Sequence, residues 1–386
     1  MIQAQGYPRA DGRFGIRNHL LVLYTVECVR VVAQRIASQA GARLAGFPGC
    51  YANPPGQTTL LRLGTHPNVG AVLIVALGCE HTDYRGLRDA VAVSGRPVEL
   101  LVMQQTGGGL RCLEAGVRLT AAMRQHLARQ RATPVGADGL VVGVECGGSD
   151  ATSGLIANPA VGVAAEAVVD AGGAVLAEEI TEMLGCAADL SRQAASEAIS
   201  CRLADRIDKA RRYSNLRQSF AISPGNVSGG LTTIEEKSLG AVFKLGSRPI
   251  RGVLQPGEVV PRAAGVYVLD RVPNPDSRLV CTCGGGDATG VTDLAAAGAQ
   301  VVLFTTGQGT PVGNAIVPVI KVCGNPETCT LLADHVDVPL DGYFSGILDR
   351  AQAGERVLQR LRMTLEGTPT QAELWGHEEY WIDYKY

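Results

Sequence analysis

Gly70-Ala71-Val72-Leu73-Ile74-Val75-Ala76-Leu77-Gly78-Cys79 is the most apolar run in the chain, and it is too short to cross a membrane. It reads as a buried strand that ends in a glycine turn. On either side of it, strand-like runs at 19–26, 43–47, 71–77 and 98–103 alternate with amphipathic helical stretches at 28–39, 56–63, 84–93 and 110–130. Buried strands each followed by a helix predict a parallel sheet with right-handed crossovers, because parallel neighbours need a long return path.

A polar segment, Arg129-Gln130-Arg131-Ala132-Thr133-Pro134, interrupts this alternation. A second α/β run follows, with strands at 140–144, 174–176, 265–269, 300–305 and 316–322 and helices at 161–170, 195–212 and 347–365. The expected fold is therefore α/β with two domains, 1–133 and 134–386. Each is a mainly parallel sheet flanked by helices, the second a Rossmann-like variant. The sequence contains no internal repeat and no low-complexity tract.

Composition narrows the function classes. With 386 residues, 46% hydrophobic and 19% charged, the chain is neither disordered nor a coiled coil. A net charge of −2 marks no nucleic-acid or anionic-membrane surface. The first residues lack the basic-then-apolar pattern of a secretory signal. Eleven irregularly spaced cysteines favour free thiols, so a cytoplasmic protein is expected.

Two glycine clusters, 284–290 and 307–313, fit Gly-x-Gly-x-x-x-Gly. The second runs into Pro318 and a further strand instead of the helix that a pyrophosphate site requires, so tight turns or a small-anion cradle are the expected reading. Cys281 and Cys283 read as buried small hydrophobes, with a redox pair as the rival reading.

Three segments carry denser chemistry than packing requires. Glu145-Cys146-Gly147-Gly148-Ser149-Asp150 follows a strand directly, where open α/β sheets bind ligands, although Ser149–Ser153 can equally cap a helix. Gly229-Gly230-Leu231-Thr232-Thr233-Ile234-Glu235-Glu236-Lys237-Ser238 enters a helix through a capping box and places a scarce lysine beside two carboxylates. Arg9, Arg13 and Arg17 surround Asp11 and could grip an anion or pair across a domain interface. Gly78-Cys79-Glu80-His81 and the pair Glu179 and Glu182 also follow strands.

These blocks, with Gly6-Tyr7-Pro8-Arg9-Ala10-Asp11-Gly12-Arg13-Phe14-Gly15-Ile16-Arg17-Asn18, Ala157-Asn158-Pro159-Ala160 and Phe304-Thr305-Thr306-Gly307, resemble those of the altronate and galactarate dehydratase family, which includes the large subunit of (2R)-sulfolactate sulfo-lyase. Gly46-Phe47-Pro48-Gly49-Cys50-Tyr51 and Gly376-His377-Glu378-Glu379-Tyr380 look nearer that subunit. Gln308 stands where the family usually has arginine, Ala187 where it often has glutamate, and 281–286 departs from the pattern.

The resemblance implies β-elimination from a 2-hydroxycarboxylate, through an enol to a 2-oxoacid, with Fe2+ as cofactor or else Mn2+ or Mg2+. It implies a small β-clip (SAF-like) partner subunit, hence a homodimer or heterotetramer. Loss of the proton at C2 leaves a dianionic enediolate that the site must neutralise. The expected metal ligands are Cys146, Cys79 and Glu80. Glu235, Glu236, Lys237 and Asp150 are the expected catalytic groups. Asn158, Asn226, Thr305, Thr306, Gly307, Arg13 and Arg17 are expected to bind substrate. A thiol oxidoreductase and a silent sensor of an acidic metabolite are the rival classes.

Overall fold

The structure is a computed structural model and describes residues 2–217, 222–276 and 286–382. Cys281, Cys283 and the start of the first glycine cluster lie outside the described residues. In chain order the strands are β1 (Gln3–Pro8), β2 (Phe14–Gly15), β3 (His19–Tyr24), β4 (Arg43–Gly46), β5 (Val69–Ala76), β6 (Val98–Val102) and β7 (Thr133–Gly136). They continue as β8 (Val141–Cys146), β9 (Ala174–Ala177), β10 (Ile250–Leu254), β11 (Gly265–Leu269), β12 (Val301–Thr306), β13 (Val319–Cys323) and β14 (Val338–Pro339).

The N-terminal sheet has the order β4-β3-β5-β6 and is parallel throughout. Every residue of β5 is buried, which is why that stretch is continuously apolar and does not alternate. The C-terminal sheet is also parallel, in the order β10-β11-β9-β8-β12-β13-β14. A small antiparallel sheet, β2-β1-β7, joins the chain's start to the expected domain division at 133.

The expected strands and helices recur with ends displaced by a few residues. The edge strand β10 was not anticipated, because Ile-Arg-Gly-Val-Leu is short and has a glycine at its centre. The helix Asp287–Ala296 likewise starts inside a cluster read as a turn.

The two large sheets meet at the N-terminal ends of their strands. His66 Nε2 donates to Ala299 O at 2.8 Å, and Asn68 Nδ2 donates to Gln300 O and Ile316 O at 2.9 and 3.1 Å. One apolar cluster runs through this seam, from Leu21, Phe47 and Leu60 to Leu294 and Phe304. The C-terminal strand ends therefore point away from the seam in both domains.

Candidate functional site

From β8 the chain fills one side of the C-terminal sheet with β9, β10 and β11, then crosses to β12, β13 and β14 on the other. The crevice at the carboxyl ends of β8 and β12 is thus a topological switch point, where open α/β sheets bind ligands. Backbone bonds join its two lips: Gly147 N–H donates to Thr305 O at 3.1 Å, and Gly307 N–H to Gly148 O at 3.1 Å. Gly148 has φ +57°, a left-handed turn that glycine adopts without strain.

Cys146 ends β8, and the turn after β9 swings Glu179 and Glu182 against it. Its thiol donates to Glu179 Oε1 at 2.8 Å and lies 3.3 Å from Glu182 Oε2. These donor atoms all lie within 4.8 Å of one another. Helix Ile234–Phe243 supplies the balancing charge. Lys237 Nζ is 3.2 Å from Cys146 Sγ, 2.8 Å from Ser149 Oγ and 3.1 Å from Glu182 Oε2. Directly after that helix's last residue, Lys244 is fully buried and pairs with Glu179.

Burial and the neighbouring carboxylates push the Cys146 thiol up to about 12, against the pull of Lys237. Burial also lifts Glu182 to about 7, an effect Lys237 opposes. Glu179 is equally desolvated, yet Lys244 and Lys237 outweigh that and hold it below the usual carboxylate range. Behind Cys146, burial and the charges of Glu178 and Glu179 keep the Glu145 carboxyl raised, and its Oε2 has no hydrogen-bond partner.

The cluster opens into a cavity of about 600 Å³ whose lining includes Cys146, Glu182, Lys237, Ser223, Asn226 and Asp287. Lys237 is the only cation lining it among the described residues. Asp287 opens the helix Asp287–Ala296, its carboxyl raised by burial. A Cβ on Gly147 would lie 2.3 Å from its Oδ2, so glycine there allows the carboxylate to sit over the strand end.

The structure brings together only some of the residues expected from sequence. Cys146, Lys237 and Asn226 meet at the cavity. Cys79 and Glu80 do not join Cys146: they follow the far end of β5, which spans about 25 Å from the seam at about 3.3 Å per residue. Glu80 is a turn carboxylate that accepts from Thr25 Oγ1, Leu77 N and Gly78 N at 2.6, 3.0 and 2.7 Å.

Glu235 and Glu236 are both exposed. Glu236 completes the capping box of Thr233 and accepts from both the backbone and the hydroxyl of Thr232. Asp150 caps the turn at 152–153 and accepts from Asn325 Nδ2 at 2.8 Å. Asn158 and Thr305 bond to each other at 2.6 Å, and Thr306 accepts from Gly309 N. At Gly307 a Cβ would overlap Asp150, with 2.0 Å to Cγ.

The arginines also take up structural positions. Arg17 forms a two-pronged ion pair with Glu373, at 2.8 and 2.9 Å, while Arg13 holds Asp11 and Thr65 O. Gln308 Nε2 donates to Ser149 O and Gly225 O, clamping two loops at the cavity mouth. Asp287 carried no signal in the sequence beyond its glycine cluster. Glu179 and Glu182 were visible as strand-end acids, but nothing in their spacing tied them to Cys146.

The pattern described as "D-galactarate/Altronate dehydratase, C-terminal" matches residues 137–386, and "D-galactarate dehydratase/Altronate hydrolase, second domain" matches residues 6–128. The chain belongs to the D-galactarate/altronate dehydratase family. Among family relatives, the (2R)-sulfolactate sulfo-lyase subunit beta of Chromohalobacter salexigens is 33% identical, over 97% of this chain and 95% of its own. The altronate dehydratase of Bacillus subtilis is 33% identical, over 84% of this chain and 66% of its own. That of Escherichia coli is 32% identical, over 94% and 73%. These relatives are lyases by name, and this family member is an enzyme of that class. The name of the first marks it as one subunit of an assembly. No described helix of this chain is long and apolar enough to cross a membrane.

Proposed function

We propose that this family member catalyses β-elimination from a small 2-hydroxycarboxylate, giving an enol that becomes a 2-oxoacid. The observation that carries the reading is the thiol–carboxylate–carboxylate set Cys146, Glu179 and Glu182, bridged by Lys237 and open to one cavity. One soft and two hard donors, two of them deeply buried, fit a borderline divalent cation such as Fe2+, with Mn2+ or Mg2+ as the alternatives. Bound there, the ion would act as a Lewis acid on the substrate's carboxylate and hydroxyl.

The chain's own residues supply the rest. Lys237 presents an ammonium at the cavity wall, where negative charge grows as C2 loses its proton. Its three acceptors hold it in place, so no reorganisation is needed as that charge develops. Asp287, its carboxyl raised by burial, lines the same cavity and would take the proton from C2 and hand it to the group leaving C3. Ser223 and Asn226 border the space left for substrate oxygens. Glu235, Glu236, Asp150, Arg13 and Arg17 have no part in this scheme, since each is exposed or committed to a structural contact.

Our preferred substrate is (2R)-sulfolactate, giving pyruvate and sulfite, with this chain acting beside a small companion subunit. The near end-to-end match to a sulfo-lyase subunit supports that choice. A sugar acid losing water is the second reading, supported by the dehydratase relatives. An anaerobic assay with ferrous iron distinguishes them: sulfite must appear in step with 2-oxoacid from sulfolactate. Oxoacid from altronate without sulfite would transfer the assignment to the dehydratases. Full activity after the metal is stripped would end the metal reading.

A further inference from the structure

The N-terminal sheet has a switch point of its own. With the order β4-β3-β5-β6, the chain leaves β3 toward β4 on one side and returns to β5 on the other, opening a crevice at the carboxyl ends of β3 and β5. Three thiols stand on that rim. Cys28 lies four residues past β3, Cys50 four past β4 and Cys79 three past β5, and all three are exposed and free.

Hydrogen bonds stitch the three loops together. Glu27 N–H donates to Pro48 O at 3.2 Å, and His81 N–H donates to Cys50 O at 3.0 Å. Thr25 Oγ1 donates to Glu80 Oε1 at 2.6 Å across the switch point itself. Each thiol is therefore no more than two residues from a bond to a neighbouring loop. The short helix Met103–Thr106 after β6 closes the rim: a Cβ on Gly78 would lie 2.8 Å from Gln104 Oε1.

Donor chemistry narrows the ligand. Thiolates select soft metals and iron–sulfur clusters. A single tetrahedral ion needs its sulfurs about 4 Å apart. Among the described residues, the only three metal-ligating groups gathered within 4.8 Å are Cys146, Glu179 and Glu182. The rim thiols are not gathered in that way, and a polynuclear cluster, which holds its thiolates at separate corners, does not require them to be. We propose that Cys28, Cys50 and Cys79 anchor an iron–sulfur cluster at this rim, three thiolates holding three corners and the fourth left free of protein sulfur. This centre is separate from the cation site at Cys146, and the inference does not rest on the proposed lyase reaction.

The test is anaerobic reconstitution of the full chain with iron and sulfide, reading iron, acid-labile sulfide and the visible charge-transfer band. The expected result is about four sulfides per chain, with about four irons beyond the one ion held at Cys146. Sulfide should fall to background, and iron to no more than the single ion of the Cys146 site, in Cys28→Ser, Cys50→Ser and Cys79→Ser, while the cluster's iron and sulfide persist in Cys201→Ser and Cys146→Ser. Because the three rim side chains are exposed, serine there should leave the thermal transition of the metal-free chain in place, separating lost ligation from lost folding. Iron without sulfide would overturn the cluster, as would sulfide retained in any one rim variant.

Discussion

Replacing Lys237 with methionine tests the electrostatic core of the site. The ammonium side chain is 4% exposed and sits 3.1 Å from a Glu182 carboxylate that is itself 22% exposed. At that distance and an effective dielectric of about 20, the attraction is about 5 kcal/mol. Methionine keeps much of the volume and removes the charge, leaving Glu182 and Cys146 without their shared cation. Breaking a buried pair in this way costs about 3–5 kcal/mol. Turnover should fall by about 10²–10³, the loss expected when a preorganised donor to a developing oxyanion is removed.

The stability loss should depend on pH with a predictable sign. Glu182 is pushed up to about 7 by burial even with Lys237 present, and without that cation its carboxyl rises further. Its folded value then lies well above the ordinary carboxylate value of about 4.3, so the folded chain binds the extra proton. A raised carboxyl contributes stability at low pH that is lost as pH climbs through the folded value. The metal-free variant should therefore trail the parent most near pH 8 and recover part of the gap by pH 5.5. Urea midpoints at the two pH values, with 2-oxoacid release as the kinetic readout, measure both effects. Equal losses at both pH values together with unimpaired turnover would refute the reasoning.

Other expectations follow from single contacts. Cys146→Ser should shift metal preference from Fe2+ toward Mn2+ or Mg2+, as hydroxyl replaces thiolate, with metal content after anaerobic loading as the measurement. Glu236→Gln should lower the melting temperature slightly and leave turnover unchanged, because that carboxylate caps a helix in solvent. Gly307→Ala should destabilise by about 1–3 kcal/mol in chemical denaturation, since its methyl would overlap Asp150. His66 is fully buried and its value is depressed to about 3, mainly by desolvation. Its ring accepts from Asn68 N–H through Nδ1 and bonds Ala299 O through Nε2, an arrangement only the neutral ring can make. The unfolded chain takes up that proton near pH 6.5, so this residue should withdraw about 2 kcal/mol of stability by pH 5, a slope that His66→Gln flattens.

Alternation of apolar strands with helices was readable along most of the chain, because parallel strands buried on both faces leave continuous hydrophobic runs. The capping box at Thr233 and Glu236 was equally readable, since its hydrogen bonds stay within the five consecutive residues Thr232 to Glu236. The same local logic marked Cys146 and Lys237 as chemically dense, and placed Cys79 and the pair Glu179 and Glu182 at strand ends. What lay beyond the sequence was which of these ends face the same space. Glu179 and Glu182 reach Cys146 because β8 and β9 are neighbours and the turn after β9 bends toward the crevice. Cys79 and Glu80 are carried away because the two sheets meet at the N-terminal ends of their strands, and these residues follow the opposite end of β5. Spacing along a chain governs what neighbours on one helix or turn can touch. Meeting points between distant strand ends depend on the order in which strands enter a sheet, and only the packed fold decides that order.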